Sequence, residues 1–352
     1  MVFKKGDDVT ATESWQRAGV VKILAIDGGG ARGIIPAVFI AEIERRCGRP
    51  AHEIFDVVAG TSTGAFISLL ITHAQRPYTG EGLVKLYEER AHDFFSRSLL
   101  WSLISMNGWI LPKYTGRSTE RTLLDVIGPD ATLRDAKSEV IVPIYALQRR
   151  YPRLIYLTRA KAARHEDEEF NFPVWKVARA ATAAPGYFPG TRLISVPDEH
   201  PRRVIHPVDG GIFANNPSIA GLSHAMELMA ERGLCTTGHA LSCPDVSFVL
   251  VSLGTGYHDD PIPARMPHWW GMLPWGLELI NVMSEAQDWL VEGQIQHLLP
   301  AQHRLRLQPI LDRPIALDDT RPETLAALRG FALRTLDEQS AALDAMCTLL
   351  KE

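Results

Sequence analysis

The sequence predicts an α/β fold, a mostly parallel central sheet with helices packed on both of its faces. Three observations predict it. Short β-branched runs alternate with apolar or amphipathic segments of helical length. Several of those runs stop abruptly on glycine turns, at Asp27-Gly28-Gly29-Gly30, Gly60-Thr61-Ser62-Thr63-Gly64, Asp209-Gly210-Gly211 and Gly254-Thr255-Gly256. The chain has 352 residues, 46% of them hydrophobic, enough for one broad core.

The expected division is a flexible lead-in over residues 1–19 and a single domain over 20–352, closed by C-terminal helices. Val20 to Ile26 reads as a buried strand and Ile34 to about Arg46 as a helix, with Pro36 in its first turn, where a missing N–H does no harm. Phe55 to Ala59 is a short apolar strand, and the apolar run after Ser62 is a helix. From Gly82 to Arg97, Leu83, Leu86, Tyr87, Ala91, Phe94 and Phe95 share one helical face. Ser98 to Ile110, with Trp101 and Trp109, is aromatic and irregular and suits a lid. A helix from Ser118 to Ile127 precedes strands at Val140–Leu147 and Arg153–Thr158 and a charged loop at Lys161–Glu169. Val174 to Ala184 is an alanine-rich helix stopped by Pro185-Gly186. Arg203 to Val208 is a strand that delivers Asp209. Asn215-Asn216-Pro217 starts a helix with an Asn cap and Pro at its first position. Val246 to Leu253 is another buried strand. The indole-rich stretch Trp269 to Trp275 reads as packing tryptophans, with a membrane-facing patch as the alternative. A long helix spans Gly276–Leu299, and Thr320-Arg321-Pro322-Glu323 is a capping box that opens a last helix with Leu325, Leu328, Ala332, Leu336, Leu343 and Leu350 on one face.

A formal net charge of −4 argues against binding nucleic acid through bulk charge. Cys47, Cys235, Cys243 and Cys347 have no metal-ligand spacing and read as free thiols of a reducing compartment. No run approaches the ~20 apolar residues that span a bilayer, and Val20–Ile26 is too short for a signal h-region. The expectation is a cytoplasmic protein.

The chemistry centres on Ser62. Strand, Gly-x-Ser-x-Gly, helix is the nucleophile-elbow pattern, in which a tight turn pushes the hydroxyl out of the sheet edge and a helix N-terminus favours developing negative charge. Gly28, Gly30 and Gly33 also satisfy the dinucleotide fingerprint, but no acid ends the second strand, and a P-loop lysine is absent. Those glycines suit an oxyanion beside Ser62 better. His206, His224, His258, His297 and His303 follow the serine without a loop setting suited to a triad, whereas Asp209 ends a strand as Asp27 does. Three readings stand at this point: a hydrolase with Asp209 as base, an α/β-hydrolase-type esterase with a histidine base, and a nucleotide-binding module using the Gly28–Gly33 loop.

Taken together, Asp27-Gly28-Gly29-Gly30-Ala31-Arg32-Gly33, Gly60–Gly64 and Asp209-Gly210-Gly211 resemble the signature set of patatin-like phospholipases. Lys113-Tyr114-Thr115-Gly116, Ala183-Ala184-Pro185, Asn215-Asn216-Pro217 and Leu253-Gly254-Thr255-Gly256 resemble further landmarks of that family in the same order, over roughly residues 20 to 350. The resemblance implies a patatin-like three-layer sandwich and a Ser62–Asp209 dyad that cleaves carboxylic esters of membrane phospholipids. It implies backbone N–H groups of Gly28, Gly29 and Gly30 around the oxyanion. Arg32 either anchors a phosphate headgroup or pairs with an acid at the surface. It implies no cofactor, no metal and no DNA or RNA partner. The chain is also similar to bacterial members, including phospholipases switched on by cyclic dinucleotides in antiviral, anti-phage signalling. That likeness implies a cyclic dinucleotide activator, with Arg149, Arg150, Arg202 and Arg203 as candidate contacts, peripheral contact with the inner membrane, and a homo-oligomer as an open alternative.

Overall fold

The structure, a computed structural model, describes residues 19–96, 98–108, 110–147, 154–163, 170–196, 204–235, 243, 245–259 and 272–352. The lead-in over 1–18, Trp109, Arg149, Arg150, Arg202, Arg203, Trp269 and Trp270 lie outside the described residues.

The chain enters through β1 (Val20–Ile26), passes a glycine turn, and continues as α1 (Ile34–Cys47), α2 (Ala51–Ile54), β2 (Val57–Gly60), α3 (Thr63–Ile71), α4 (Gly80–Phe94), α5 (Leu99–Ile104) and α6 (Arg117–Ile127). Next come β3 (Glu139–Ala146), β4 (Leu154–Thr158), α7 (Arg159–Ala163), α8 (Val174–Ala181), β5 (Leu193–Ile194), β6 (Val204–Ile205) and β7 (Pro207–Asp209). The last part is α9 (Ser218–Glu231), β8 (Ser247–Leu253), β9 (Tyr257–His258), α10 (Met272–Leu298), β10 (Arg304–Leu307), β11 (Ile310–Leu311), α11 (Pro322–Glu338) and α12 (Ser340–Lys351). Among the described residues, no helix is long and apolar enough to cross a membrane.

The central sheet runs β10-β8-β1-β2-β3-β4, and its first five strands are parallel. Parallel strands buried on both faces need apolar residues at every position, and the period of two then sorts them into two cores. On β1, Leu24 and Ile26 face a core shared with α1, α3, α8, α11 and α12. Ile23 and Ala25 face the other, closed by α9 and the end of α10. This is the predicted α/β sandwich, a largely parallel sheet with helices on both faces.

One strand arrives differently from the expectation. Residues 203–208 were to form a single strand ending beside the other carboxyl tips; instead β6 pairs with β5, and β7 pairs antiparallel with β3, Ile144 against Asp209. β4 occupies one edge of β3, so β7 shares the other edge with β2, which pairs there from Val57↔Glu139 to Ala59↔Ile141. β2 and β7 therefore run toward each other along one edge, with Val142 and Pro143 between them. Pro143 has no N–H for a ladder, and the interruption leaves room for both tips to turn off the sheet. Ser62 and Asp209 meet head on.

Other expectations need correction. Cys235 and Cys243 are joined in a disulfide that closes the connection from α9 to β8, so they are not free thiols. Cys47 and Cys347 are free and buried, with their thiols hydrogen-bonded between α1 and α12. The capping box at Thr320 is absent: Arg321 is the cap residue of α11, without a side-chain cap bond, and Asp319 accepts from its N–H at 3.3 Å. Thr320 sits one position too early to reach the helix amides. The single closing helix is two, because the chain breaks at Gln339 and α12 turns to pack on both α1 and β10.

The elbow tolerates no side chain at its flanks. A Cβ on Gly64 would lie 2.1 Å from the Ile26 carbonyl oxygen, and one on Gly60 would lie 2.2 Å from that of Gly64. Both obstacles are backbone and cannot swing aside. Gly64→Ala is expected to cost about 3 kcal/mol, the upper range for forcing atoms into a packed core. Chemical denaturation reads the loss, and an unchanged midpoint would show that β1 yields to the methyl group.

Candidate active site

Ser62 closes the turn between β2 and α3 at φ 54° and ψ −119°, a conformation that few non-glycine residues adopt. The strain is held by the elements on either side and by Thr61, whose hydroxyl donates to the Ala214 carbonyl at 2.6 Å. Ser62 is the cap residue of α3, so its side chain sits at the positive end of that helix.

Asp209 lies at the end of β7 and is 4% exposed. Its carboxyl has the Ser62 hydroxyl and the Gly211 N–H as hydrogen-bonding neighbours, the latter at 2.8 Å. Burial pushes its pKa up to about 6, and those two donors limit the rise. Among the described residues, no histidine bonds to Ser62 or Asp209. His224 Nε2 donates to Glu139 Oε1 at 3.0 Å on the α9 face of the sheet, and His297 Nδ1 donates to the Gly293 carbonyl within α10 at 2.7 Å. His258 is on the cavity wall.

The glycine turn after β1 approaches the serine from the next strand. Its amides are unequal. Gly28 N–H donates to the Asn215 carbonyl at 3.1 Å and Ala31 N–H to the Leu317 carbonyl at 2.7 Å. Of the three amides expected around an oxyanion, that of Gly28 is committed to the loop that follows Asp209, while Gly29 and Gly30 N–H have no acceptor among the described residues. Gly30 has φ +58°, and a Cβ there would lie 2.2 Å from the Leu317 carbonyl oxygen, so only glycine fits under that strap. A pyrophosphate would need the amides that Asn215 and Leu317 occupy, which weakens the dinucleotide reading.

Arg32 stands at the cavity wall rather than in a surface ion pair. Its Nη1 donates to the Gly256 carbonyl at 3.2 Å, its Nε is buried without a partner among the described residues, and burial lowers its pKa to about 10. These groups line one cavity of about 1440 Å³, which contains Ser62, Asp209, Gly28, Gly29, Gly30 and Arg32 together. One wall is aromatic, where Phe66 and Phe94 meet edge to face at 5.2 Å and Phe95 and Phe188 lie 5.8 Å apart. The lining also carries a polar cluster, Asp27, Asp288, Glu292 and Arg306. The lid stretch became α5 and a short 3₁₀ turn, of which Gly108 reaches the cavity.

Sequence reasoning missed Arg306 and Asp288. β10 reads Arg-Leu-Arg-Leu, and its alternating charges disguise an edge strand whose arginine reaches the site. The available signal was the alternation itself, since a period of two with leucines on one face is a strand pattern.

An elbow serine on the carboxyl edge of a largely parallel sheet, with a buried acid beside it, defines a class of α/β protein. A family model described as patatin-like phospholipase matches residues 24–220, more than half of the chain, and the chain belongs to that family. Membership implies hydrolase activity. The chain is similar to Patatin-like protein 2 of Oryza sativa subsp. indica, 26% identical over 372 residues covering 98% of this chain and 90% of that protein. It is similar to Calcium-independent phospholipase A2-gamma of Rattus norvegicus, 26% identical, covering 94% of this chain and 40% of that protein. It is also similar to Patatin-like protein 4 of Arabidopsis thaliana, 24% identical, covering 90% of this chain and 84% of that protein.

Proposed function

We propose that the protein is a lipid acyl hydrolase of the phospholipase A type that works through a Ser62–Asp209 dyad. The observation that carries the reading is the buried Asp209 carboxyl beside the Ser62 hydroxyl, with Gly211 N–H as its other neighbour. Asp209 accepts the serine proton as Ser62 Oγ attacks the ester carbonyl carbon. Gly29 and Gly30 N–H and the start of α3 face the oxyanion, each such donor being worth roughly 3 kcal/mol. The tetrahedral species collapses, and the departing alkoxide of the lysophospholipid takes the proton from Asp209. Asp209 then deprotonates a water that attacks the acyl-serine. Free fatty acid leaves and the Ser62 hydroxyl is restored. The aromatic wall suits an acyl chain, and Arg32, a guanidinium with unfilled donor capacity, suits a phosphate. Contact with the membrane is peripheral in this reading.

Mixed phospholipid vesicles incubated with the protein test it, with products identified by mass spectrometry. Fatty acid and lysophospholipid in equal amounts are expected. No release from any vesicle, and none from soluble carboxylic esters, with or without a cyclic dinucleotide, would overturn the proposal. Activation by a cyclic dinucleotide is the finer part of it. A rate that rises only when the nucleotide is added supports that part, and equal rates with and without it would end it.

A further inference from the structure

The cavity lining holds a polar cluster that the dyad chemistry leaves unused. Arg306 stands on β10 in register with Ser252 of β8, one strand removed from β1. Its guanidinium reaches across the strand ends. Nη2 donates to Asp27 Oδ2 at 2.6 Å and to Asp288 Oδ1 at 2.7 Å, and Nη1 donates to Ser252 Oγ at 2.8 Å. Among the described residues the other oxygen of Asp27 is buried with no partner, and Arg306 is the side chain that bonds to that carboxyl.

The two acids lead to different halves of the site. Asp27 immediately precedes Gly28. Asp288 Oδ1 accepts from Asn216 Nδ2 at 2.7 Å, in the loop that follows Asp209. The adjacent α10 residue, Gln287, accepts from Asn215 N–H at 3.3 Å and donates to the Ile212 carbonyl at 3.1 Å. Without a cation between them, two facing carboxylates in a buried site repel or take up a proton. A planar fork satisfies three acceptors at fixed angles, which a single ammonium on a flexible stem does not.

We infer that Arg306 is a positioning residue for the hydrolysis proposed above, holding the Gly29 and Gly30 amides and the Asp209 loop in mutual register through Asp27 and Asp288. It acts through its neighbours and not on the substrate. The kinetic arm of the test rests on the proposed function, and the exchange arm does not.

Arg306→Lys keeps the charge and loses the fork. Its kcat on a phospholipid or soluble ester is expected to fall about 10- to 100-fold, the usual loss when an outer hydrogen-bond partner goes, with KM within about two-fold. Asp288→Asn keeps an acceptor for Arg306 and Asn216 and is expected to lose only several-fold, about 3- to 10-fold. In Arg306→Lys, hydrogen exchange over residues 28–33 and 210–217 is expected to quicken about ten-fold or more, while β1 and β2 keep the parent rates. Arg329→Ala, which breaks an exposed pair with Glu88, is the control and leaves both readouts unchanged. Parent-like exchange in both segments would overturn the inference. So would a raised KM with unchanged kcat, because it would place Arg306 on the substrate. If the parent hydrolyses no ester, the functional reading falls and the exchange result alone decides this inference.

Discussion

Ser62→Ala is expected to abolish ester hydrolysis, a loss of about 10⁶-fold in kcat by analogy with removal of other activated serines. The size follows from the role: without Oγ no acyl-enzyme forms, and the amides and cavity are left to bind substrate without attacking it. The same position carries a second, independent expectation. Ser62 is held at φ 54°, where a side chain costs about 1–3 kcal/mol. Ser62→Ala keeps that strain and Ser62→Gly releases it, so the glycine variant is expected to be equally inactive yet to melt at a higher temperature than the alanine variant. A fluorophosphonate probe checks the first part by intact mass: the parent gains one label, and both variants gain none. A variant at residue 62 that still turns over ester would remove the serine from the mechanism.

Asp209→Asn is expected to lower kcat/KM by about 10⁴-fold, comparable to other acids whose replacement by an amide leaves the geometry standing. An asparagine oxygen still accepts from Ser62 and Gly211, so folding is preserved, but the amide takes no proton. The pH profile separates this from a structural effect. Burial raises the Asp209 pKa to about 6, and in the proposed mechanism only the ionised carboxylate serves as base. In the parent, kcat/KM therefore declines as pH falls through about 6, tenfold for each unit below it. An unburied aspartate would place that limb near its ordinary value of about 4. Asp209→Asn is expected to lose the limb. A limb that survives the substitution, or a histidine variant as damaging as Asp209→Asn, would transfer the role of base.

Much of this arrangement was readable in the residues. The elbow announces itself because its demands are local: an apolar run, two glycines with no room beside them, and a helix that starts at the serine. The two-faced sheet is likewise written in the alternation of Ile23 and Ala25 against Leu24 and Ile26. Direction was not readable. Nothing in Pro207-Val208-Asp209 says whether the strand runs with its neighbours or against them, since pairing with β3 is a property of residues far apart in the chain. The Gly28 amide misled for a similar reason. Its sequence context fits an anion cradle, and only the placement of the Asn215 carbonyl shows that the N–H is occupied. The Cys235–Cys243 bond escaped because four scattered cysteines allow several pairings and none. Arg306 escaped because its worth depends on two acids that arrive from β1 and α10.

The head-on meeting of β2 and β7 has a consequence for the newborn polypeptide. The segment bearing the hydroxyl is made early, its acidic counterpart emerges roughly 150 residues later, and Arg306 later still, so these are pairings of long sequence separation that close slowly. In the proposed mechanism, a half-made or half-refolded chain therefore carries the warhead without the trigger. Lipid-cleaving power would appear only after the final strands have docked, trailing the recovery of helical signal, and the cell that makes the protein is spared its chemistry until the whole is assembled.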